Sequence, residues 1–396
     1  MPIRRIPPLF VAFLLCCPSL MSSAQTAEVR SITPPRLETA NLGDEVLCHR
    51  PAREGGPLLK VEKRGHQVIA HNYGHGGSGW TLAPGSAAYV NDLFVNSPDV
   101  RRLRKHTRLT VLGSGALGLF TAYDLYQRGF RNIVIVAASF DGLTSHNAGG
   151  LLAPTAMDHA PEIQEVLNQI GFDAYRFYES IANGEHPDFA QGARVMPVYF
   201  RNRENGLKPY VGVVMDEPKD VILDFGNGTQ REMVAYDDGI FIDAGNLLVQ
   251  LQAFLRAHGV RFKKKWVESF AQAGGRYVFN CTGLGSAKLN NDQALTPVQG
   301  HLMLLREQDP QAMEYMIVMP LDQGQASSGL PIRRFFYQFP KHIPGTSTQH
   351  VGVIGGTMIT GATSETPHLE EFDIMMAGAR EFYGLTPALS APTPGP

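Results

Sequence analysis

The residues best suited to chemistry here are glycines set in particular company. Gly113-x-Gly115-x-x-Gly118 follows the apolar run "RLTVL" at residues 108–112 and opens a helical pattern beginning at Ala116. In that context Gly113 permits a tight turn and Gly115 lets backbone approach a pyrophosphate. Gly118 lets helix and strand pack closely, and the free N–H groups of the helix start face the phosphates. A glycine-rich turn can also serve packing alone, so the preceding strand and following helix carry the dinucleotide reading. An acidic residue about 20 positions on usually holds the ribose. Here the second strand runs out through Ala137, Ala138 and Ser139, leaving Ser139 or Asp141 as substitutes.

A second cluster, "HNYGHGGSGWTLAPGSA" at residues 71–87, interleaves Gly74, Gly76, Gly77 and Gly79 with His71, Asn72, Tyr73 and His75. Such a turn bares backbone N–H and C=O groups to a ligand before entering a helix. Its two histidines have no third ligand nearby, so no metal site is expected. A third segment, "VFNCTGLGS" at residues 278–286, carries a strand into another glycine turn. It reads either as a ligand-facing turn or as a plain strand end.

Short elements must position these turns. Residues 108–112 and 133–137 read as buried strands flanking a helix from Ala116 to Arg128 that Gly129 ends, a βαβ unit with a parallel pair. "NLLVQLQAFLRAHG" places Leu247, Leu248, Leu251, Phe254 and Leu255 on one helical face, with Gly259 at its stop. Residues 277–281 and 351–354 read as further strands, and Asn227-Gly228 as a hairpin turn. The fold class is therefore α/β, a Rossmann-type dinucleotide-binding part beside a mixed or antiparallel sheet.

Composition agrees with this. The 396 residues are 43% hydrophobic, enough for a large core, and the net charge of −2 argues against a nucleic-acid partner. Arg4 and Arg5, the apolar run at residues 9–17, and Ser22 and Ala24 form an export signal cleaved after Ala24, which predicts an exported, periplasmic or secreted protein. The run is shorter than the roughly 20 residues a bilayer span needs, and an uncleaved anchor is the other reading. No span is expected in the mature chain. Removing the signal leaves Cys48 and Cys281, too few for a disulfide framework. Residues 25–47 read as a linker, and the Pro-rich 385–396 as a disordered tail.

Taken together, these motifs resemble the D-amino-acid oxidase family, including D-aspartate oxidase. "HNYGHGGSG", "LTVLGSGALGL", "LTSHNAGGLLAP", "GIFIDAGNLLVQLQAFLRAHGVRF", "VFNCTGLGS", "GVIGGTMITG" and "HRPAR" each match family segments, over about residues 48–95 and 108–383. The resemblance implies FAD as cofactor, with a D-amino acid and oxygen as small-molecule partners. It also implies oxidative deamination to a 2-oxo acid, ammonia and hydrogen peroxide. It assigns Arg50, in Arg50-Pro51-Ala52-Arg53, to the substrate carboxylate, although a surface arginine is the plain alternative. Tyr337 touches substrate on this reading, or is a core aromatic. The Gly77 carbonyl would receive the amine. Gly76, Gly77, Ser78, Gly79, Trp80, Thr81, Thr144, Ser145, Gly149 and Gly150 would contact the flavin, and Gly113, Gly115, Ala116 and Gly118 the rest of the cofactor.

Two departures bear on the substrate. A second family tyrosine, four residues before Tyr337, falls on Arg333, and Leu151-Leu152 replace a tryptophan. Arg333 and Arg334 favour an acidic D-amino acid or form a solvated pair. The family's order is also rearranged, because the glycine-histidine segment precedes the fingerprint. That predicts a circular permutation, with the old ends joined through about 96–107 and new ends between Gly384 and Cys48; a rearranged gene or a fragment of a tandem fusion is the rival. The expected organisation is a permuted segment at 48–95 that completes the site. The FAD-binding part would comprise 108–160 with 246–298, and the substrate part 161–245 with 299–383. A flavin dehydrogenase of another amine and a non-catalytic flavin protein remain the alternative functions.

Overall fold

The computed structural model describes residues 27–148, 150–154, 157, 159–341 and 350–385. Residues 1–24, read as an export signal, and 386–396 of the tail lie outside them, as does Gly149.

Strongly apolar β-branched runs such as Ile133–Ala137 form strands buried on both faces, as a sheet covered by helices requires. They build a six-stranded sheet in the order β12(Arg261–Lys264), β6(Ile133–Ala137), β5(Leu109–Leu112), β13(Tyr277–Asn280), β4(Gln67–Tyr73), β3(Leu58–Arg64). All neighbours are parallel except β3 and β4. A nine-stranded, mostly antiparallel sheet runs β1(Glu28–Ser31), β9(Lys219–Asp224), β10(Gln230–Tyr236), β8(Val198–Phe200), β15(Met316–Gln325), β16(Pro331–Pro340), β17(His350–Thr360), β14(Leu295–Arg306), β2(Leu42–Arg53). The strands β7(Ala193–Val195) and β11(Ile240–Ile242) form a small separate pair.

The helices are α1(Gly79–Val95), α2(Ala116–Gln127), α3(Gln164–Ala182), α4(Ala244–Ala257), α5(Phe270–Ala273), α6(Ser286–Leu289) and α7(Leu369–Tyr383). The expected βαβ unit is β5–α2–β6, with Gly129 at φ +88° ending the helix as its type allows. In α4 the expected apolar face is buried at Leu247, Leu248, Leu251 and Leu255 and half-buried at Phe254, Asp243 caps the first turn through the Asn246 N–H, and Gly259 sits at φ +81° beyond the end. Asn227-Gly228 lies in the β9–β10 hairpin. One continuous core joins α1, α2, α3 and α4 to the six-stranded sheet, and a second packs α7 on the nine-stranded sheet. Among the described residues no helix is long and apolar enough to cross a membrane.

Within 25–47, read as a linker, residues 28–31 form β1 against β9, and 42–47 begin the long strand β2. Its polar residues misled because both are edge strands, where one side faces water and charge is tolerated. The segment 48–95 is built into both sheets: β2 lies in one, β3 and β4 in the other, and α1 packs on α2 and α3. The boundary expected near 298 falls earlier, because β14 enters the nine-stranded sheet at Leu295.

Candidate active site

A cavity of about 840 Å³ opens where the C-terminal ends of the parallel strands meet the nine-stranded sheet. That is the crevice at which open α/β sheets hold ligands, and the volume is at the upper end for small-molecule sites.

Its inner end is made of backbone. Gly113 has φ +102°, and a Cβ there would lie 2.3 Å from the Cys281 carbonyl oxygen. A Cβ on Gly118 would lie 2.2 Å from the Gly113 carbonyl oxygen, so Gly118 serves close helix–turn packing and does not line the cavity. A Cβ on Gly115 would meet Ser145 Oγ at 2.9 Å. The Ala116 N–H, at the first turn of α2, donates to Ser145 Oγ at 3.1 Å, and that turn carries no acidic side chain. The positive end of α2 thus faces a glycine cradle that any side chain would fill, which suits a pyrophosphate. Ser139 lines the wall, its hydroxyl spent on the Asp141 carbonyl at 2.8 Å; Asp141 itself is exposed and away from the cavity.

Gly76, Gly77, Gly79 and Trp80 form the adjoining wall, with Gly77 exposed to the space between its buried neighbours. Residues Gly76–Ser78 make one 3₁₀ turn ahead of α1. Ser78 and Thr81 are buried behind the surface. Thr81 Oγ1 donates to the Ala153 carbonyl at 3.1 Å and Trp80 Nε1 to the Ser145 carbonyl at 2.9 Å. These bonds tie α1 to the 144–153 segment, where Thr144, Ser145 and Gly150 line the cavity. Thr144 Oγ1 donates to the His49 carbonyl at 3.1 Å. Lys341 is buried and its ammonium donates to the His146 and Ala148 carbonyls at 2.8 and 2.7 Å; burial pushes its pKa down to about 8.

The two histidines of the glycine cluster are hydrogen-bonded within the fold, and His75 also lines the cavity. Asn280 Nδ2 donates to His71 Nδ1 at 3.2 Å, which leaves His71 Nε2 to donate to Glu62 at 3.3 Å. Asn280 Oδ1 in turn accepts from the Thr282 and Ser286 hydroxyls and so shapes the 282–286 turn, which also lines the cavity. His75 bonds Ser86 Oγ at 2.8 Å. Burial lowers His71 to about 4 and His75 to about 3, so both are neutral at physiological pH. No group of three potential metal ligands occurs among the described residues.

The outer end carries charge. Arg50, on β2, donates from Nη1 to the Thr357 carbonyl at 2.8 Å and from Nη2 to the Tyr337 hydroxyl at 3.4 Å. Among the described residues no carboxylate lies within salt-bridge reach of it. Tyr337 stacks on Phe339 with centroids 4.8 Å apart, and burial pushes its phenol up to about 12, so it stays protonated. Glycines make room for both groups: a Cβ on Gly300 would lie 2.3 Å from Arg50 Nη1, and one on Gly355 2.1 Å from the Tyr337 ring. Arg333 and Arg201 are exposed on the cavity wall, whereas Arg334 turns away to Glu371 at 2.6 and 2.7 Å. The expected arginine pair is therefore split.

Sequence reasoning missed residues 265–268, which line the cavity after β12, with Trp266 65% exposed. It also missed Thr357 and Lys341. The run "KKKW" carries no ligand signature, and Thr357 acts through its carbonyl, which every residue type possesses.

The chain is 26% identical to a D-amino-acid oxidase from Streptomyces coelicolor over 234 residues, covering 56% of this chain and 66% of that protein. The match thus spans just under two thirds of that relative. Among solved structures, glycine oxidase from Bacillus cereus superposes with a TM-score of 0.51 at 16% identity, covering 69% of this chain and 79% of that one, a likeness of fold. A Geobacillus kaustophilus glycine oxidase gives 0.49 at 14% identity over 69% and 77%. The family model described as FAD dependent oxidoreductase matches residues 108–394, more than half of the chain. By that match, this chain belongs to the FAD-dependent oxidoreductase family.

Proposed function

We propose that the protein oxidatively deaminates D-amino acids with oxygen and water, producing a 2-oxo acid, ammonia and hydrogen peroxide. The observation that carries this is Arg50. Its guanidinium has no carboxylate partner among the described residues and shares one cavity with the glycine cradle, beside a protonated Tyr337 hydroxyl. A planar fork of donors facing a cavity suits a bidentate carboxylate.

Gly113, Gly115 and Ala116 would hold the FAD pyrophosphate, while Gly76, Gly77, Gly79, Trp80, Thr144, Ser145 and Gly150 would border the flavin. Bound there, FAD supplies the two-electron acceptor. The protein's own part is orientation. Arg50 fixes the carboxylate, Tyr337 donates to it, and the Gly77 carbonyl takes an amine hydrogen, so the Cα–H bond points one way. Such positioning can remove roughly 7 to 11 kcal/mol of barrier. No side chain in this group needs to act as a strong base. Arg333 and Arg201, both cationic and exposed on the wall, favour a substrate with a second, acidic group.

The order of the segments we read as circular permutation. It is supported by the family match starting at residue 108, while β2, β3, β4 and α1 fill places in both sheets ahead of it. Arg4, Arg5 and the apolar run at 9–17 support export. The functional test is Arg50→Ala: turnover of D-amino acids should fall at least 100-fold while FAD affinity changes less than threefold. Equal loss of both would remove Arg50 from the substrate site.

A further inference from the structure

The carbonyl that holds Arg50 belongs to a stretch of β17 whose pairing with β14 is irregular. Between β14 and β17, Gln299 pairs with Ile359 and Leu302 with Gly355. Three steps on β14 thus face four on β17, placing one extra residue in the stretch that contains Thr357. An extra residue leaves ladder groups unpaired and re-aims them. Two substitutes are visible. Thr357 keeps its place opposite Arg334 in β16 but has no partner in β14, and its carbonyl accepts from Arg50 Nη1 at 2.8 Å. The His301 backbone N–H donates to Thr357 Oγ1 at 3.2 Å instead of to a carbonyl.

The His301 side chain holds the same hydroxyl. Its Nδ1 lies 2.7 Å from Thr357 Oγ1, and its Nε2 accepts the backbone N–H of His368 at 3.1 Å, at the start of α7. A neutral imidazole has one donor and one acceptor nitrogen. Because Nε2 accepts, Nδ1 carries the proton and donates to Thr357. The ring is fully buried and meets Phe372 edge-on at 5.1 Å, which fixes its plane. A single bond at Thr357 would leave the irregular stretch free to twist. Two donors from one residue, anchored to a helix start, do not.

We propose that His301 is a positioning residue for substrate recognition: by clamping the Thr357 hydroxyl it holds the irregular stretch of β17 so that the Thr357 carbonyl aims Arg50 at the substrate carboxylate. His301 touches neither substrate nor cofactor. The inference rests on the reading of Arg50 as the carboxylate anchor.

The test uses the FAD-loaded protein and propionate as a minimal carboxylate, with its dissociation constant measured by calorimetry and FAD affinity measured separately. His301→Leu should weaken propionate at least tenfold with FAD affinity within twofold. In an Arg50→Ala background the same change should weaken it less than twofold further, because the effect passes through Arg50. His301→Gln, which keeps a donor and an acceptor, should recover most of the lost affinity. If His301→Leu does not fold, Thr357→Val removes the clamped hydroxyl and carries the same expectation. The proposal is overturned if wild type does not bind propionate, if His301→Leu binds it as wild type does, or if the losses from Arg50 and His301 simply add. A wild type that binds propionate through Arg50 but is reduced by no amino acid would sink the oxidase reading and leave this one standing.

Discussion

Gly300→Ala should separate substrate recognition from cofactor binding without deleting a charge. Gly300 lies in β14 at an ordinary strand conformation, so alanine brings no backbone strain. Its methyl would stand 2.3 Å from Arg50 Nη1 and 2.7 Å from both Cζ and Nη2. Contact distance for such atoms is about 3.5 Å, so the guanidinium must retreat by about 1.2 Å. Only the tip of one flexible side chain needs to give, and the fold should barely notice. The 2.8 Å bond to the Thr357 carbonyl, however, would stretch toward about 4 Å and be lost. A hydrogen bond from a charged group contributes about 1.5–3 kcal/mol, equivalent to roughly 10- to 150-fold. A 1 Å misplacement at a reacting centre costs on the order of 100-fold. We therefore expect kcat/KM for the best amino acid to fall about 10- to 150-fold, while Tm moves by less than about 2 °C and FAD affinity is unchanged. Steady-state kinetics, a thermal melt and flavin titration decide it. Unchanged kcat/KM in a folded, flavin-loaded variant would refute Arg50 as the substrate anchor.

Other outcomes follow from the same geometry. Gly113→Ala puts a side chain at φ +102° and 2.3 Å from backbone at Cys281, so FAD affinity should fall more than about 100-fold; the two tryptophans near the cavity, Trp80 and Trp266, allow the titration to be followed by their fluorescence. Burial lowers His71, His75 and His301 to about 4, 3 and 4, with Arg50 and His368 lowering His301 further. In each case the unfolded chain takes a proton that the folded one refuses, so stability is full above about pH 6.5 and falls as pH drops toward 4, by roughly 3 kcal/mol per histidine. Denaturant melts between pH 7 and 4 check this, and a flat profile would contradict the neutral buried rings. Arg333→Ala should raise KM for acidic amino acids about tenfold and leave neutral ones within twofold; equal effects on both would place Arg333 outside substrate selection.

The parts of this molecule legible in its sequence are those whose residue type the backbone dictates. Gly113, Gly118 and Gly76 occupy places where a Cβ collides or φ is positive, so the pattern survives as letters. Apolar runs such as Ile133–Ala137 are legible because burial on both faces demands them. The edge strands β1 and β2 were not, since half-solvated strands tolerate the polar residues of a linker. Nor was the Arg50–Thr357–His301 chain, because it depends on a carbonyl within a strand irregularity that no residue type announces. Arg333 and Arg334 are adjacent in sequence yet one faces the cavity and the other turns to Glu371, as strand alternation requires.

The most direct measurement is flavin absorbance of the purified protein, without oxygen, during addition of D- and L-amino acids in turn. A D-amino-acid oxidase should be bleached by D-amino acids alone, fastest with an acidic side chain, and regain its colour with release of peroxide when oxygen is admitted. Flavin that stays oxidised with every D-amino acid, or bleaches equally with L-amino acids, would contradict it.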